Sequence, residues 1–325
     1  MFSIVIPLYN KADYIAKAVY SVLSQSYKEF ELIIVNDGST DNSLEIVEQI
    51  TKSSNSQITI INQLNSGVSV ARNNGAKAAK YDYVVFLDAD DWWDKNFLSE
   101  MKSLIEAYPD AALYSCNYYK VKNSQNILAR IGIETGFQRG YINYFEVYSN
   151  TFWMPVHSSN TIIKKEIFLL ITGFNEKLKF AEDFDLWIRI SLKNKFAFLN
   201  RNLSYYNQDV PVSMRALGEK IWKKEEHAVF NFGYLKEDEK SNPVLKKLLD
   251  GIRVRSLMEY YLKGIYKSEV KDILEQIEMS KQPKYFQRVY SYPKIIVRLY
   301  FQYKKIGSFF KQWLIKYYLE TKQCQ

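Results

Sequence analysis

Cysteine and histidine are scarce in this chain of 325 residues, which contains two of each. The two cysteines, Cys116 and Cys324, provide neither a disulfide framework nor the paired spacing of a zinc site, so a reducing cytoplasm is expected. No window approaches the roughly 18 uninterrupted apolar residues of a membrane-spanning helix. The chain also begins without a basic segment followed by an apolar one, so no signal peptide is predicted.

The net positive charge of the chain is confined to its last 43 residues. Residues 283–325 hold nine Lys or Arg and one acid, and this segment therefore carries the whole net charge of +8. The remaining residues are balanced between acids and bases. Any partner that the basic excess attracts is therefore expected to contact the tail rather than the body of the protein.

The first hundred residues alternate between two periodicities. Strand-like runs cover residues 3–8, 31–35, 58–62 and 83–87, and helix-like patterns separate them. Such alternation predicts parallel βαβ units with right-handed crossovers. Polar clusters follow these strands directly, so they are expected to meet at one edge of the sheet.

Two further regions follow this alternating segment. Residues 111–230 are less regular and more aromatic, and they are expected to complete the same domain. From about residue 231 the pattern becomes helical and is interrupted by prolines. We therefore predict one domain over residues 1–230 and a helical region with a basic amphipathic tail over residues 231–325.

The aspartate segment, residues 88–91, is the most informative feature. A strand-forming run ends there in three carboxylates within four positions, Asp88, Asp90 and Asp91. Carboxylates repel each other unless a cation or hydrogen bonds compensate them, and strand ends are where open α/β sheets hold ligands. Oxygen ligands suit Mg²⁺ or Mn²⁺ bridging phosphate oxygens. The alternative is that the acids cap a helix beginning near Trp92.

Five motifs occur in order and together resemble a known family. They are Ile-Val-Ile-Pro-Leu-Tyr-Asn at 4–10, Val-Asn-Asp-Gly-Ser-Thr-Asp at 35–41, Asn-Ser-Gly at 65–67 with Ala-Arg-Asn at 71–73, Asp-Ala-Asp-Asp at 88–91, and Glu-Asp followed by Leu-Trp-Ile-Arg at 182–189. Over residues 1–210 the chain resembles an inverting nucleotide-sugar glycosyltransferase of family two. The resemblance implies a GT-A fold: an α/β, Rossmann-like, mostly parallel sheet flanked by helices, here with a helical C-terminal extension.

The resemblance assigns five residues to the nucleotide sugar. Pro7 and Tyr9 would line the base pocket, Asp37 would accept a hydrogen bond from uracil, Arg72 would line the pocket, and Asp88 would face the ribose. Three alternatives stay open from the residues alone: Tyr9 as an ordinary loop residue, Asp37 as a helix cap, and Arg72 as a surface charge. Asn36 stands where relatives usually carry a second acid.

The resemblance also assigns a metal ligand and a base. Asp90 would hold Mn²⁺ or Mg²⁺, which neutralises the leaving diphosphate. Asp183 would accept the proton of the attacking hydroxyl. The alternative for Glu182 and Asp183 is a helix start, where acids favour the macrodipole. Arg189 would then lie near the opposite face of that helix, so a structural ion pair is expected for it.

Histidine departs from the family pattern. Many relatives carry a metal-binding histidine about twenty residues after the acid pair, whereas residues 205–208 here read Tyr-Tyr-Asn-Gln. His157 is the one histidine near these motifs, and it is either structural or close to the acceptor.

The tail, drawn as one helix over residues 294–319, places aromatic and aliphatic side chains on one side and most basic ones on the other. This pattern favours an anionic membrane surface. A helix packed on the catalytic domain is the alternative, and nucleic acid is not expected as a partner.

The function expected is transfer of a sugar, with inversion, from a UDP-sugar to a hydroxyl of a glycan or lipid-linked glycan. The resemblance places such an enzyme in bacterial surface polysaccharide biosynthesis, peripheral at the inner face of the cell membrane. The alternative is a non-catalytic, membrane-associated protein that binds nucleotide sugars.

Overall fold

The computed structural model describes residues 1–54, 58–211, 221–301 and 303. The chain divides into two compact units, residues 1–248 and residues 249–325. This division falls inside a helix, Pro243–Ser256, and therefore later than the change of sequence pattern near residue 230.

The strands of the first unit form one sheet in the described part of the chain. They are β1 (Phe2–Leu8), β2 (Phe30–Asn36), β3 (Ile58–Asn62), β4 (Tyr83–Phe86), β5 (Trp92–Trp93), β6 (Ala111–Lys122), β7 (Gln125–Leu128), β8 (Arg139–Ile142), β9 (Thr161–Lys164) and β10 (Lys195–Asn207). Their order is β3-β2-β1-β4-β9-β6-β10-β5, with β7 beside β6 and β8 beside β10. An α/β fold with a central sheet is thus confirmed.

The described helices are α1 (Ala12–Leu23), α2 (Ser43–Ser53), α3 (Val68–Ala78), α4 (Phe97–Ala107), α5 (Tyr144–Thr151), α6 (Lys165–Leu170), α7 (Glu182–Ser191), α8 (Lys236–Ser241), α9 (Pro243–Ser256), α10 (Met258–Lys263), α11 (Lys267–Glu275) and α12 (Lys284–Ser291). Helix α1 buries Ile15, Val19 and Val22, which recur at helical spacing. Helix α3 approaches the sheet closely at Gly75, because a Cβ there would lie 2.3 Å from a Val5 side-chain carbon.

The topology of the sheet creates a crevice at one edge. Strands β3, β2, β1 and β4 run parallel, as the alternating pattern predicted. The chain steps outward from β1 to β3 and then returns to β4 on the other side of β1. Connections therefore diverge between β1 and β4, which is where open α/β sheets bind ligands.

The second half of the sheet is mixed. Strand β9 pairs antiparallel with β4 and with β6, whereas β10 pairs parallel with β6. Because β9 runs opposite to β4, the turn that precedes β9 lies at the edge where β4 ends. Residues from two distant parts of the sequence, 88–91 and 157–160, consequently meet at this edge.

The buried core of the first unit supports the carboxyl edge of the sheet. Ile4, Ile6, Leu32 and Ile34 are fully buried, as expected for parallel strands covered on both faces. The apolar strands form the platform, and the polar residues that follow them are left at their carboxyl ends.

The second unit is helical in its described part. Residues 294–301 are helical, Val297 is buried, and large apolar side chains are exposed on the remaining surface: Ile295, Ile296, Leu299, Tyr300 and Tyr303. Most of the predicted amphipathic tail, residues 304–325, lies outside the described residues. Within the described part of the chain, no helix combines the length and apolarity needed to cross a bilayer.

Candidate active site

A cavity of about 420 Å³ lies at the carboxyl edge of the sheet in the first unit. We call it the edge cavity. It is lined by every residue that the sequence assigned to the site, namely Pro7, Tyr9, Asp37, Arg72, Asp88, Asp90 and Asp183. These residues come from five separate segments of the chain, and the fold brings them to one place. Their individual roles stay predictions.

Asp37 holds the loop before α3. It is buried after β2, and its carboxylate accepts hydrogen bonds from the Ser66 and Gly67 backbone amides at 2.8 and 2.9 Å and from Gln63 Nε2 at 2.7 Å. A carboxylate offers about four acceptor positions, so roughly one is left for a ligand. Gly67 turns the loop with φ +95°, which a side chain would strain. The helix-cap alternative for Asp37 is wrong, because α2 begins at Ser43.

Tyr9 and Asn10 follow β1 at the same end of the cavity. Tyr9 is 46% exposed, so its ring is open to a ligand. Asn10 has φ +50°, and its Oδ1 accepts a hydrogen bond from the Thr40 amide at 2.8 Å. This hydrogen bond joins the loop after β1 to the loop after β2 and thereby stabilises the loop that carries Tyr9.

Arg72 joins two acidic segments. Its guanidinium lies 2.6 Å from Asp88 Oδ1 and 3.2 Å from Glu182 Oε1, and the side chain is only 5% exposed. Burial acts to lower its pKa, but the charges of Asp88 and Glu182 prevail and raise it. Arg72 is therefore a fixed cation that links the end of β4 to the start of α7, and the surface-charge alternative is wrong.

The aspartate segment forms a turn rather than a helix cap. Asp91 is buried and accepts a hydrogen bond from the Asn207 amide at 2.8 Å, and strand β5 follows at once. Helix α4 begins only at Phe97. Asp91 therefore fastens the segment to β10, whereas Asp88 and Asp90 line the edge cavity.

Asp90 faces a cation of the protein itself. Lys11 Nζ lies 2.7 Å from Asp90 Oδ2, and Lys11 also lines the cavity. Burial raises the pKa of Asp90, while Lys11 acts to lower it. Sequence reasoning missed Lys11, although its position directly after the Tyr-Asn turn of β1 was the signal available.

A divalent metal is compatible with this carboxylate. Asp90 offers carboxylate oxygens, of which Oδ2 contacts Lys11, and Mg²⁺ is commonly held by one or two carboxylates together with substrate phosphates. No group of three or more metal-binding side chains occurs among the described residues. Asp90 would therefore hold a metal mainly in partnership with a diphosphate.

Asp183 lies in the first turn of α7 and lines the edge cavity together with Asp88 and Asp90. Ala181 directly precedes α7 and has φ +60°, a left-handed backbone conformation that places Glu182 and Asp183 at the start of the helix. Burial is the main cause that raises the pKa of Asp183 to about 7, with Glu182 adding to it and Arg72 opposing it. A carboxylate with a pKa near neutrality is well suited to accept a proton.

Arg189 has a structural role, as the helical spacing predicted. Its guanidinium pairs with Asp185 at 2.8 Å and donates hydrogen bonds to the Ile171 and Gly173 carbonyls. Tyr234 donates a further hydrogen bond to Asp185 at 2.7 Å. These contacts lie outside the cavity lining and fix α7, and with it the position of Asp183.

Comparison with known proteins agrees with this site. The model of the Glycosyl transferase family 2 matches residues 3–168. GlyA, a glycosyltransferase of Streptococcus pneumoniae, is 28% identical over 226 residues; the match covers 63% of this chain and 30% of GlyA, so the chain spans under a third of that relative.

Solved structures agree in fold. Staphylococcus aureus TarS 1–349 in complex with UDP has a TM-score of 0.67 at 20% identity, covering 86% of this chain and 81% of that one. The mannosyltransferase PcManGT from Pyrobaculum calidifontis, in complex with GDP-Man and Mn²⁺, has a TM-score of 0.57 at 18% identity, covering 94% and 80%. The chain belongs to glycosyl transferase family 2, and its fold is that of the GT-A enzymes.

Proposed function

We propose that the protein transfers a sugar, with inversion, from a UDP-sugar to a hydroxyl of a glycan or lipid-linked glycan acceptor. The observation that carries this proposal is that Asp183 lines the same cavity as Asp88 and Asp90. A nucleotide sugar needs a pocket for its base, a sink for the charge of its diphosphate and a base for the incoming hydroxyl. The edge cavity offers residues for all three.

The nucleoside occupies the end formed by Pro7, Tyr9 and Asp37. The exposed face of Tyr9 stacks on the base, and the remaining acceptor position of Asp37 receives the uracil N–H. Asp88, fixed by Arg72, faces the ribose. The complexes of TarS with UDP and with UDP-GlcNAc support a uridine nucleotide as the donor.

Asp183 takes the proton of the acceptor hydroxyl. As the hydroxyl oxygen attacks the anomeric carbon, the bond from that carbon to the diphosphate breaks on the opposite face, and UDP leaves. The hydroxyl becomes more acidic along this path, so a base with a pKa of about 7 accepts its proton near neutral pH.

Charge on the leaving diphosphate is met by cations beside Asp90. Lys11 is one, placed beside Asp90. Mn²⁺ or Mg²⁺ held by Asp90 would supply Lewis-acid neutralisation of the diphosphate. The presence of Mn²⁺ with GDP-Man in the PcManGT structure supports this assignment.

A screen of donors tests the proposal. UDP or GDP release is measured across UDP-glucose, UDP-galactose, UDP-GlcNAc and GDP-mannose, each with Mn²⁺, with Mg²⁺ and with EDTA. We expect release from one UDP-sugar that rises with a suitable glycan acceptor and is lost in EDTA. Binding without release under every condition would favour the non-catalytic alternative, and preference for GDP-mannose would overturn the uridine assignment.

The second unit suggests where the enzyme works. Ile295, Ile296 and Leu299 are each more than half exposed on the helix that begins the basic tail. An apolar surface flanked by lysines and arginines suits an anionic membrane, as a lipid-linked acceptor in surface polysaccharide synthesis at the inner face of the cell membrane would require.

Vesicle flotation tests the membrane assignment. The full chain is mixed with vesicles containing phosphatidylglycerol or phosphatidylcholine alone, beside a variant that carries Ser at 295, 296 and 299. We expect the wild type to float with the anionic vesicles only and the variant to stay behind. Equal flotation of the two proteins would refute this assignment.

A further inference from the structure

His157 is a buried side chain at the edge cavity to which the proposed mechanism gives no task. It lies in the turn before β9 and is 5% exposed. Its Nδ1 accepts a hydrogen bond from the Ser159 amide at 3.3 Å, while its buried Nε2 has no hydrogen-bond partner. His157 nevertheless lines the cavity together with Ser158 and Met154.

The protonation of the ring follows from this contact. Because Nδ1 accepts a hydrogen bond from an amide, it carries no proton, and the proton of the neutral ring is on Nε2. Burial lowers the pKa of His157 to about 4, so the ring stays neutral at physiological pH. Nε2–H is thus a donor, and a buried donor without an acceptor is unfavourable until a ligand supplies one.

The ring is held rigidly. It meets Tyr118 edge-on at 4.5 Å between centroids and lies 5.4 Å from the ring of Tyr206. Ser159 in turn accepts a hydrogen bond from the Asp88 amide at 3.0 Å, and its carbonyl accepts one from the Trp93 indole at 2.6 Å. The turn that carries His157 is therefore locked to the aspartate segment.

The order of strands places His157 along the cavity. Asp37 follows β2, Tyr9 follows β1 and Asp88 follows β4, and the turn with His157 precedes β9, the next strand. Neighbouring strands are about 4.8 Å apart, so these residues mark successive positions along one edge. With the base at β2 and β1 and the diphosphate at β4, the next group of a nucleotide sugar is the sugar itself.

We infer that His157 determines sugar specificity by donating a hydrogen bond from Nε2 to an oxygen of the transferred sugar. This inference rests on the proposed function. Tyr206, which lines the cavity beside His157, forms the adjoining wall of the sugar position. In this strand order the base lies at β2 and β1, away from the turn before β9, so His157 is assigned to the sugar rather than to the nucleoside.

Two substitutions at His157 test the roles of the two ring nitrogens separately. In His157→Asn, the side-chain oxygen still caps the Ser159 amide, since Asn is a favoured cap, but no group reaches the Nε2 position. In His157→Gln, the amide nitrogen reaches that position. His227 provides a matched control, because it is also buried and its Nδ1 accepts a hydrogen bond from the Val229 amide, yet it does not line the cavity.

Binding of UDP and of the UDP-sugars of the donor screen is measured by calorimetry, and kcat and KM are measured for the best donor. For His157→Asn we expect unchanged affinity for UDP and about a tenfold loss of affinity for the UDP-sugar. His157→Gln should recover most of this loss, and His227→Asn should change neither.

The inference is overturned if His157→Asn weakens UDP and UDP-sugar equally, which would show a structural role, or if it changes neither. A wild-type protein that binds no nucleotide sugar would overturn the proposed function itself. Melting temperatures of the two Asn variants, compared with each other, show whether a loss arises from unfolding.

Discussion

Asp37 and Asp183 are carboxylates that line one cavity, and they differ in how many donors surround them. Asp37 accepts three hydrogen bonds, two of them from backbone amides. Asp183 accepts one, from the amide of Phe184, and burial raises its pKa to about 7. The first carboxylate stabilises a loop through its three hydrogen bonds, whereas the second is poorly compensated as an anion.

The same contrast extends to the neighbours of each residue. Near Asp37, Asp41 is also rich in donors, and hydrogen bonds from Ser43 and Ala12 lower its pKa despite burial. In the aspartate segment, by contrast, burial raises the pKa of Asp90 and, further, of Asp91. The carboxylates near the nucleoside position are thus already compensated by hydrogen bonds before a ligand binds. The other carboxylates of the cavity are suited to receive a cation or a proton, which is where the proposed chemistry takes place.

The strongest test of this contrast is Asp183→Asn. Loss of the general base should lower kcat by about 1,000-fold while UDP binding persists. Asp185→Asn, two residues along the same helix, is the control, because Asp185 pairs with Arg189 and does not line the cavity. We expect Asp185→Asn to lower stability more than kcat. Full turnover by Asp183→Asn would remove the base assignment.

Arg72→Met should destabilise the fold. It leaves Asp88 and Glu182 without the cation that joins them, and removing one partner of a buried ion pair costs about 3–5 kcal/mol. Urea unfolding measures this loss. Arg72→Lys keeps the charge but not the two-pronged contact, so only partial recovery is expected. A stability equal to the wild type would mean that Arg72 serves the ligand alone.

Asp37→Asn tests the other carboxylate of the comparison between Asp37 and Asp183. It removes the charge that two amides and Gln63 contact, and hydrogen bonds to a charged group contribute about 1.5–3 kcal/mol each. We expect a loss of about 2 kcal/mol in the free energy of unfolding, together with weaker UDP binding. Asp183→Asn should show no such loss of stability. Similar stabilities for the two variants would contradict the contrast.

The pH dependence of activity and of stability tests the role of Asp183 without mutation. Asp183 must be deprotonated to act, so kcat/KM should rise with pH and reach half its maximum near pH 7. Stability moves the opposite way, because the folded state holds this proton more tightly than the unfolded chain. The contribution is present at acid pH and is lost as the pH rises through about 7.

Urea unfolding at several pH values checks this sign. Asp183→Asn should remove the loss of stability between about pH 4 and about pH 7, since the amide does not titrate. A pH–rate profile that stays flat across the same range would show that Asp183 is not the group whose ionisation limits turnover.

Much of the site was predictable from residue order alone. Strand-forming runs that end in polar residues placed Tyr9, Asp37 and Asp88 at one edge, because parallel strands present their carboxyl ends together. Lys11 was missed because a lone lysine carries no periodic signal, and only its position directly after the Tyr-Asn turn of β1 pointed to it. The alternatives for Asp37 and Arg72 were settled only by their contacts with Gly67 and Glu182, which are distant in sequence.

The sequence by itself determined the α/β class, the family resemblance and the acidic segments, because each depends on local periodicity or short motifs. The tertiary structure decided which carboxylates are satisfied and which are not. Burial and donor number depend on segments brought together from residues 37, 67, 88 and 183, and no local pattern encodes them. The same packing placed His157 beside the aspartate segment through the antiparallel strand β9.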